Sequence, residues 1–145
     1  EFPAIAMWLA RKNPEKGLLP GDADGEARAI EAMDYAVSTM HMQGFSRMFR
    51  PGNYAPTEAD HDKVKARGKE IMEKGLALMD KALEGKEYLT GSFSIADAAL
   101  FYVEFWASGR MKMPLPKNCA AHYERMKNRP AVKRVLEQEG LSAAA

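Results

Sequence analysis

Apolar residues recur at helical spacing through most of the chain, and proline and glycine separate the segments. In residues 24–50, apolar and small residues follow one another at intervals of three and four and form one stripe: Ile30, Met33, Val37, Met40, Gly44 and Met48. A second such segment begins after Pro56, where Thr57 and Asp60 have the spacing of a capping pair, and ends near Leu83. The two patterns predict two long helices.

The segment from Ile95 to Ala107 is apolar on nearly every side, because Asp97 and Glu104 are its only charged residues. This pattern is typical of a central, buried helix. The amides at a buried helix start need acceptors within the protein, since water does not reach them. Ser94 and Asp97 have the Ser-x-x-Asp spacing of a capping box, so we predict that they form one.

Shorter segments complete an all-α pattern of five to six helices, without a convincing strand. These segments are a first helix (3–12), a proline- and glycine-rich linker, two short helices (119–128 and 130–140) and a tail (141–145). The first helix carries Ile5, Trp8 and Leu9 on one side. It is too short and too poor in apolar surface to stand alone, so we expect these side chains to need a surface to cover.

Composition narrows the function classes. The 145 residues are 46% hydrophobic and 28% charged, with a net charge of +1, which fits one globular domain and argues against a nucleic-acid partner. No apolar run reaches the roughly 18 residues of a membrane span.

The single cysteine, Cys119, rules out an internal disulfide and favours the cytoplasm. His41, His61 and His122 lie on separate predicted helices without metal-ligand spacing, so we expect no metal.

A mixed polar and aromatic strip runs along the first long helix. Asp34, Ser38, His41 and Phe45 fall within roughly 60° of one another on a helical wheel, beside the buried stripe. Two interpretations remain open. The strip is either an ordinary helix flank or the wall of a cleft for a small polar ligand, with Ser38 and His41 as hydrogen-bonding groups and Phe45 as an apolar contact.

Four pieces of the sequence resemble, in order, parts of the C-terminal helical domain of glutathione S-transferases, the bacterial beta class especially. "EFPAI" is similar to the motif that ends the family's thioredoxin-like domain and starts its last helix. "YLTGSFSIADAALF" resembles the capping region of the family's central helix. "MHMQGFSRMFRPG" and "HYERMKNRPAVKRVLEQEGL" are similar to stretches of bacterial members. The resemblance spans nearly the whole chain and implies the same helical bundle.

The resemblance also implies a domain division. Residues 1–13 would be the last helix of an otherwise absent thioredoxin-like domain, residues 14–25 a linker, and residues 26–145 the helical domain. The chain has no initial methionine and is interpreted as the back part of a longer protein. In the family, the thiol-activating Tyr, Ser or Cys lies near the start of the thioredoxin-like domain. We therefore expect no catalytic residue in this chain, which alone should be inactive.

The function implied by the resemblance is conjugation of glutathione, as co-substrate, to a small electrophile, or related thiol chemistry, by a cytoplasmic homodimer. Two other interpretations stay open at this point. One is a non-catalytic binding or assembly module of the same fold, which the unusual Phe2 favours slightly. The other is a stand-alone helical bundle, against which the uncovered first helix argues.

Five glutathione-binding positions carry over from the family. Glu1 matches the acidic residue that holds the γ-glutamyl end, and Phe2 stands where Ser is usual, which leaves only a backbone contact. Ser38 and His41 match positions that reach glutathione in beta-class members. Asp34 matches a polar position that contacts the ligand of the partner subunit.

By the same analogy, four residues would form the hydrophobic electrophile pocket: Phe45, Phe49, Trp106 and Met111. The chain departs from the family pattern at Met42, where those enzymes often have Lys. It also has one more residue between His41 and the following Gly-Phe pair. In a regular α-helix, one additional residue would rotate the strip by about 100°.

Overall fold

The computed structural model describes residues 1–141, which form six helices joined by short loops. The helices are α1 (Phe2–Lys12), α2 (Ala23–Asp34, Tyr35–Phe45 and Ser46–Phe49 in succession), α3 (His61–Ala82), α4 (Ile95–Phe105 and Trp106–Arg110), α5 (Lys117–Lys127) and α6 (Pro130–Gln138). These residues contain no strand, only an isolated bridge between Thr90 and Ser92. The all-α prediction is therefore confirmed, and residues 142–145 of the predicted tail lie outside the described part.

The long helices α2 and α3 pack closely because glycines face each other between them. A Cβ built on Gly68 would lie 2.7 Å from the backbone oxygen of Gly44, and one on Gly75 would lie 2.6 Å from the Met40 side chain. Only a residue without a side chain permits this approach. Met40 and Met72 are fully buried at this contact, where their flexible side chains fill the remaining space.

Helix α4 runs through the centre of the bundle, and its start is capped within the protein. The Ser94 amide donates to Oδ2 of Asp97 at 2.8 Å, and the capping box is complete. The Leu89 amide donates to Oδ1 of the same carboxylate at 2.9 Å, and the Ile95 amide donates to the carbonyl of Leu18 at 3.0 Å. Asp97 thus anchors the preceding loop as well as the helix.

The predicted helix starts differ in accuracy. Helix α2 begins at Ala23, one residue before the predicted start at about residue 24, and Asp22 caps it by accepting from the Gly25 amide at 2.8 Å. Helix α3 begins only at His61, because Thr57 donates its hydroxyl to Asp60 at 2.7 Å instead of capping. Glu58–Asp60 therefore form a 3-10 turn before the helix.

Helix α1 packs against the bundle through its small residues and leaves its large ones uncovered. Ala6 and Ala10 are buried, whereas Ile5 and Trp8 are 57% and 59% exposed. Over residues 1–141, none of the helices combines the length and the hydropathy needed to cross a membrane.

Candidate functional site

Two pockets meet at one pair of stacked rings between α2 and α4. The larger encloses about 600 Å³ and the smaller about 420 Å³, and both are lined by His41, Met42 and Tyr102. The rings of His41 and Tyr102 lie 5.1 Å apart, with 15° between their planes. This pair forms the shared wall, so ligands in the two pockets would lie side by side.

The smaller pocket lies where the start of α1 meets the middle of α2 and α4. Glu1 and Phe2 line it, together with apolar residues of the two longer helices: Ala36, Val37, Ala98, Ala99 and Val103. Three of the predicted glutathione-binding residues, Glu1, Phe2 and His41, therefore meet in one pocket. Its walls are mostly apolar, and Glu1 supplies its one carboxylate.

Ser38 and Asp34 are not among the residues that line either pocket. The Ser38 hydroxyl donates to Oδ1 of Asp34 at 2.8 Å, and Asp34 is exposed. The two side chains form a polar pair one to two turns before His41 on α2. The predicted strip is thus divided, because only its C-terminal half, His41 and Phe45, reaches the pockets.

The larger pocket has an aromatic wall. The ring centroids of Phe45 and Phe49 lie 5.9 Å apart, and those of Tyr102 and Trp106 lie 6.3 Å apart. Besides His41 and Met42 of the shared wall, the remaining lining residues are polar or charged: Ser46, Arg50, Asn53 and Arg110. Phe45, Phe49 and Trp106, three of the four residues predicted for an electrophile pocket, therefore share one cavity.

Met111, the fourth residue of that prediction, does not line this pocket. It lines a separate groove with residues of α3, including Leu76, and packs against the hydrophobic core. Met111 follows the last turn of α4, where its amide donates to the carbonyl of Trp106, five residues back, at 3.1 Å.

Both helices are π-helical where they border the larger pocket. In α2 the Ser46 amide bonds to the carbonyl of His41, five residues back, and the π-helical stretch is Tyr35–Phe45. Stretches of π-helix within α-helices are frequent at functional sites. Here the rings of His41 and Phe45 lie 6.1 Å apart, and both residues line the larger pocket.

The shared wall is uncharged at neutral pH, and the positive charge lies on the arginines. Burial lowers the pKa of His41, which disfavours the imidazolium. Burial also raises the pKa of Tyr102, so its phenol keeps its proton. Arg50 and Arg110 line the larger pocket, and no carboxylate stands among its lining residues. The larger pocket is therefore electropositive, and His41 and Tyr102 act as neutral hydrogen-bonding groups.

Tyr102, Arg50 and Arg110 line the larger pocket although the sequence pattern did not predict them. The apolar pattern of the central helix predicted burial on every side, whereas Tyr102 is 43% exposed. A signal was present, because Tyr102 precedes Trp106 by four residues and so shares its face. The arginines gave no local signal, since each stands at a helix end.

A second polar cluster, formed by Asp97, Glu104 and His122, is sealed in the core. His122 Nδ1 lies 2.8 Å from Oε2 of Glu104, and Nε2 lies 3.3 Å from Oδ1 of Asp97. Burial alone disfavours the imidazolium, but hydrogen bonds and charge from both carboxylates outweigh it and raise the His122 pKa to about 9. Burial raises the pKa of Glu104 to about 7. Neither of the two pockets between α2 and α4 is lined by these three residues. We therefore assign the cluster a structural role.

Cys119 is buried beside this cluster and carries no reactive thiolate. Its thiol lies 3.5 Å from the carbonyl oxygen of Leu76, and burial, together with the Glu104 charge, raises its pKa far above the usual range. A thiol that keeps its proton is a poor nucleophile. Cys119 therefore serves packing between α3 and α5.

The chain is similar to known proteins of one family. Residues 62–125 match the family model described as "Glutathione S-transferase, C-terminal domain". The chain is 34% identical over 147 residues to glutathione S-transferase GstA of Escherichia coli O157:H7, a match that covers 97% of this chain and 68% of the relative.

Solved structures of bacterial glutathione transferases have the same fold. The Xylella fastidiosa enzyme superposes with a TM-score of 0.87 at 23% identity, over 97% of this chain and 70% of its own. The sphingomonad enzyme, solved in complex with glutathione, superposes with a TM-score of 0.77 at 30% identity, over 97% of this chain and 68% of its own. From the identity to GstA and its extent, we conclude that this chain belongs to the glutathione S-transferase family.

Proposed function

We propose that this chain forms the helical half of a glutathione transferase, with glutathione in the smaller pocket and the electrophile in the larger one. The observation that carries this proposal is the wall of His41 and Tyr102 that both pockets share. Transfer of a thiol to an electrophile requires the two ligands to meet, and adjoining pockets hold reactants close together. The aromatic lining of the larger pocket suits an apolar acceptor.

Glutathione binding would use the groups at the rim of the smaller pocket. The carboxylate of Glu1 suits the α-amino group of the γ-glutamyl end, and Phe2 offers a backbone contact. His41, neutral because burial lowers its pKa, would donate one hydrogen bond to a carbonyl or carboxylate of the tripeptide. Ser38 and Asp34 stand outside this pocket as a pair, which fits the proposed contact of Asp34 with a ligand held by a partner subunit.

The thiol-activating residue would lie in a thioredoxin-like domain that precedes the helices. This proposal treats residues 1–13 as the last helix of that domain, 14–25 as a linker and 26–145 as the helical domain. Its support is the exposed apolar face of α1, which carries Phe2, Ile5, Trp8 and Leu9. Full burial of an exposed apolar side chain stabilises a fold by about 1.5–3 kcal/mol. Because these side chains are about half exposed, a neighbouring domain would gain part of that for each one by docking here. A homodimer in the cytoplasm stays a prediction.

The test is retention and turnover measured on the protein expressed from its complete coding sequence. We expect retention on immobilised glutathione and conjugation of glutathione to 1-chloro-2,4-dinitrobenzene. Retention without turnover of any of several electrophile classes would instead indicate the non-catalytic binding module. The 145-residue chain by itself should show no turnover, and measurable turnover with the purified chain would refute the placement of the activating residue outside it.

A further inference from the structure

The larger pocket combines flat aromatic walls with two arginines that have no acidic partner. Arg110 lies over two of the rings, with its Cζ 5.8 Å from the centroids of both Phe49 and Trp106. Arg50 directly follows Phe49 at the end of α2 and lines the same pocket. The Arg110 guanidinium therefore lies beside the rings on which an aromatic ligand would stack, and Arg50 borders the same cavity.

Two arginines of the described residues form ion pairs with carboxylates, and neither lines the larger pocket. Arg67 bonds to Glu70 at 2.6 Å, and Arg11 pairs with Glu26. Within residues 1–141, Arg50 and Arg110 form no ion pair, and no Asp or Glu lines their pocket. Two positive charges that border one cavity repel each other, and a bound anion would remove that repulsion.

We propose that the larger pocket selects aromatic electrophiles that carry a carboxylate, which Arg50 and Arg110 bind while the ring stacks on the aromatic wall. A guanidinium group donates two parallel hydrogen bonds to a carboxylate, a geometry that fixes the orientation of the ring. The role of this ligand as acceptor rests on the proposed function, whereas its binding rests on the pocket alone.

The carboxylate takes no part in the bond changes. With a chloronitroaryl acceptor, the thiolate sulfur of glutathione forms a bond to the ring carbon that bears chlorine. Chloride then leaves with the electron pair of the carbon–chlorine bond; the thiol proton has already passed to solvent when the thiolate formed. The arginines would hold the ring in place during this exchange, so they are specificity-determining rather than catalytic.

The primary test compares two probes that differ in charge but have nearly the same shape, 4-chloro-3-nitrobenzoate and 4-chloro-3-nitrobenzamide. Their dissociation constants are measured by calorimetry at pH 7.5 without glutathione, at low and high sodium chloride. We expect the benzoate to bind about tenfold more tightly at low salt, with the difference shrinking as salt rises. Equal affinity of the two probes would overturn the proposal.

Substitutions of pocket residues test where the benzoate binds. Arg110→Gln and Arg50→Gln should each weaken benzoate binding by about three- to tenfold and change benzamide binding by less than about twofold. Arg134→Gln removes the same charge from exposed α6 and should change neither constant, while Phe49→Ala should weaken both. If both pocket variants keep the benzoate preference, or if Arg134→Gln removes it, the assignment is wrong. Circular dichroism checks that each variant is folded.

Retention on immobilised glutathione, measured on the same preparations, separates this proposal from the proposed function. A benzoate preference without retention would keep the carboxylate site and refute the glutathione transferase assignment. Retention without a benzoate preference would support the glutathione transferase assignment and refute the carboxylate site. In turnover, the arginine variants should raise KM for the benzoate with little change in kcat, and an equal loss for benzoate and benzamide would contradict the proposal.

Discussion

His122 and His41 lie in the same bundle, in opposite surroundings. His122 is fully buried between Asp97 and Glu104, and the two carboxylates raise its pKa to about 9 although burial alone would lower it. His41 stacks on Tyr102 at the wall of two pockets, and partial burial lowers its pKa. The comparison teaches that neighbouring carboxylates, rather than depth alone, decide whether a histidine in this fold is charged.

The difference assigns the two residues different tasks. The charged His122 connects α5 to α4 through ion pairs with Asp97 and Glu104 that are fully buried. Removing one partner of such a pair leaves a buried charge without compensation. A neutral histidine keeps one donor and one acceptor free for a ligand. Changes at the buried cluster should therefore alter stability, and changes at the pocket wall should alter binding.

The largest effect is expected for Asp97→Ala. The substitution leaves the amides of Ser94 and Leu89 without their acceptor and His122 without one of its two carboxylates. We expect a loss of about 3–5 kcal/mol in the free energy of unfolding, measured by urea denaturation. Asp62→Ala is the matched control, since its side chain is 95% exposed and its pair with Lys65 should contribute less than about 1 kcal/mol. Similar losses in the free energy of unfolding for the two variants would contradict a structural role of the cluster.

The next effect is a dependence of stability on pH that differs in sign between the two histidines. Because the folded pKa of His122, about 9, exceeds its ordinary value of 6.5, the folded state holds this proton more tightly. Its contribution, about 3 kcal/mol, is complete below pH 6.5 and is lost as the pH rises through about 9. The raised pKa of Glu104 likewise makes the free energy of unfolding fall as the pH rises from 4.5 to about 7. His41, whose pKa is lowered, contributes above pH 6.5 and loses that contribution as the pH falls.

Two measurements check these signs. Urea denaturation at a series of pH values from 6 to 9.5 should show a falling free energy of unfolding, and His122→Gln should flatten that fall. Nuclear magnetic resonance of the imidazole Cε1 protons reports each pKa directly, even if the variant is unstable. A measured pKa below 6.5 for His122, or above 6.5 for His41, would contradict the proposed difference between the two histidines.

A smaller effect is expected for His41→Ala, and on binding rather than on folding. The loss of one hydrogen bond at the smaller pocket should weaken glutathione binding by about five- to tenfold, measured by calorimetry on the full-length protein. Stability should change by no more than about 1 kcal/mol because the ring is only partly buried. His61→Ala, on α3, is the matched control for binding. Unchanged glutathione affinity in His41→Ala would mean that the wall is only structural.

The smallest effect is expected for Ser38→Ala. Its hydroxyl bonds to exposed Asp34 and reaches neither pocket, so we expect a change of less than about 0.5 kcal/mol in stability. Its effect on glutathione binding should be less than that of His41→Ala. A larger effect of Ser38→Ala on binding would shift the ligand site towards the N-terminal half of the strip.

Local patterns were enough for several of these features. The spacing of apolar residues predicted the helices, and the Ser-x-x-Asp pattern predicted a cap whose acceptor, Asp97, is buried. The resemblance to glutathione transferases rested on the same stretches, and the relationship to GstA bears it out. The domain division and the glutathione-contacting residues stay predictions, although Glu1, Phe2 and His41 do line one pocket.

What the sequence determined by itself is the helical order, the start of α4 and the apolar side of α1, because each depends on residues within a few turns of one another. Only the tertiary structure decided that Tyr102 stacks on His41, that two arginines border the larger pocket and that Glu104 meets His122 across 18 positions of sequence. The π-helical turns before Ser46 and Met111 belong to this second group, since the apolar spacing of three and four that predicted the helices does not distinguish them from α-helical turns. The physical reason is that helical periodicity fixes which residues share a face, but not which face of a distant helix they meet.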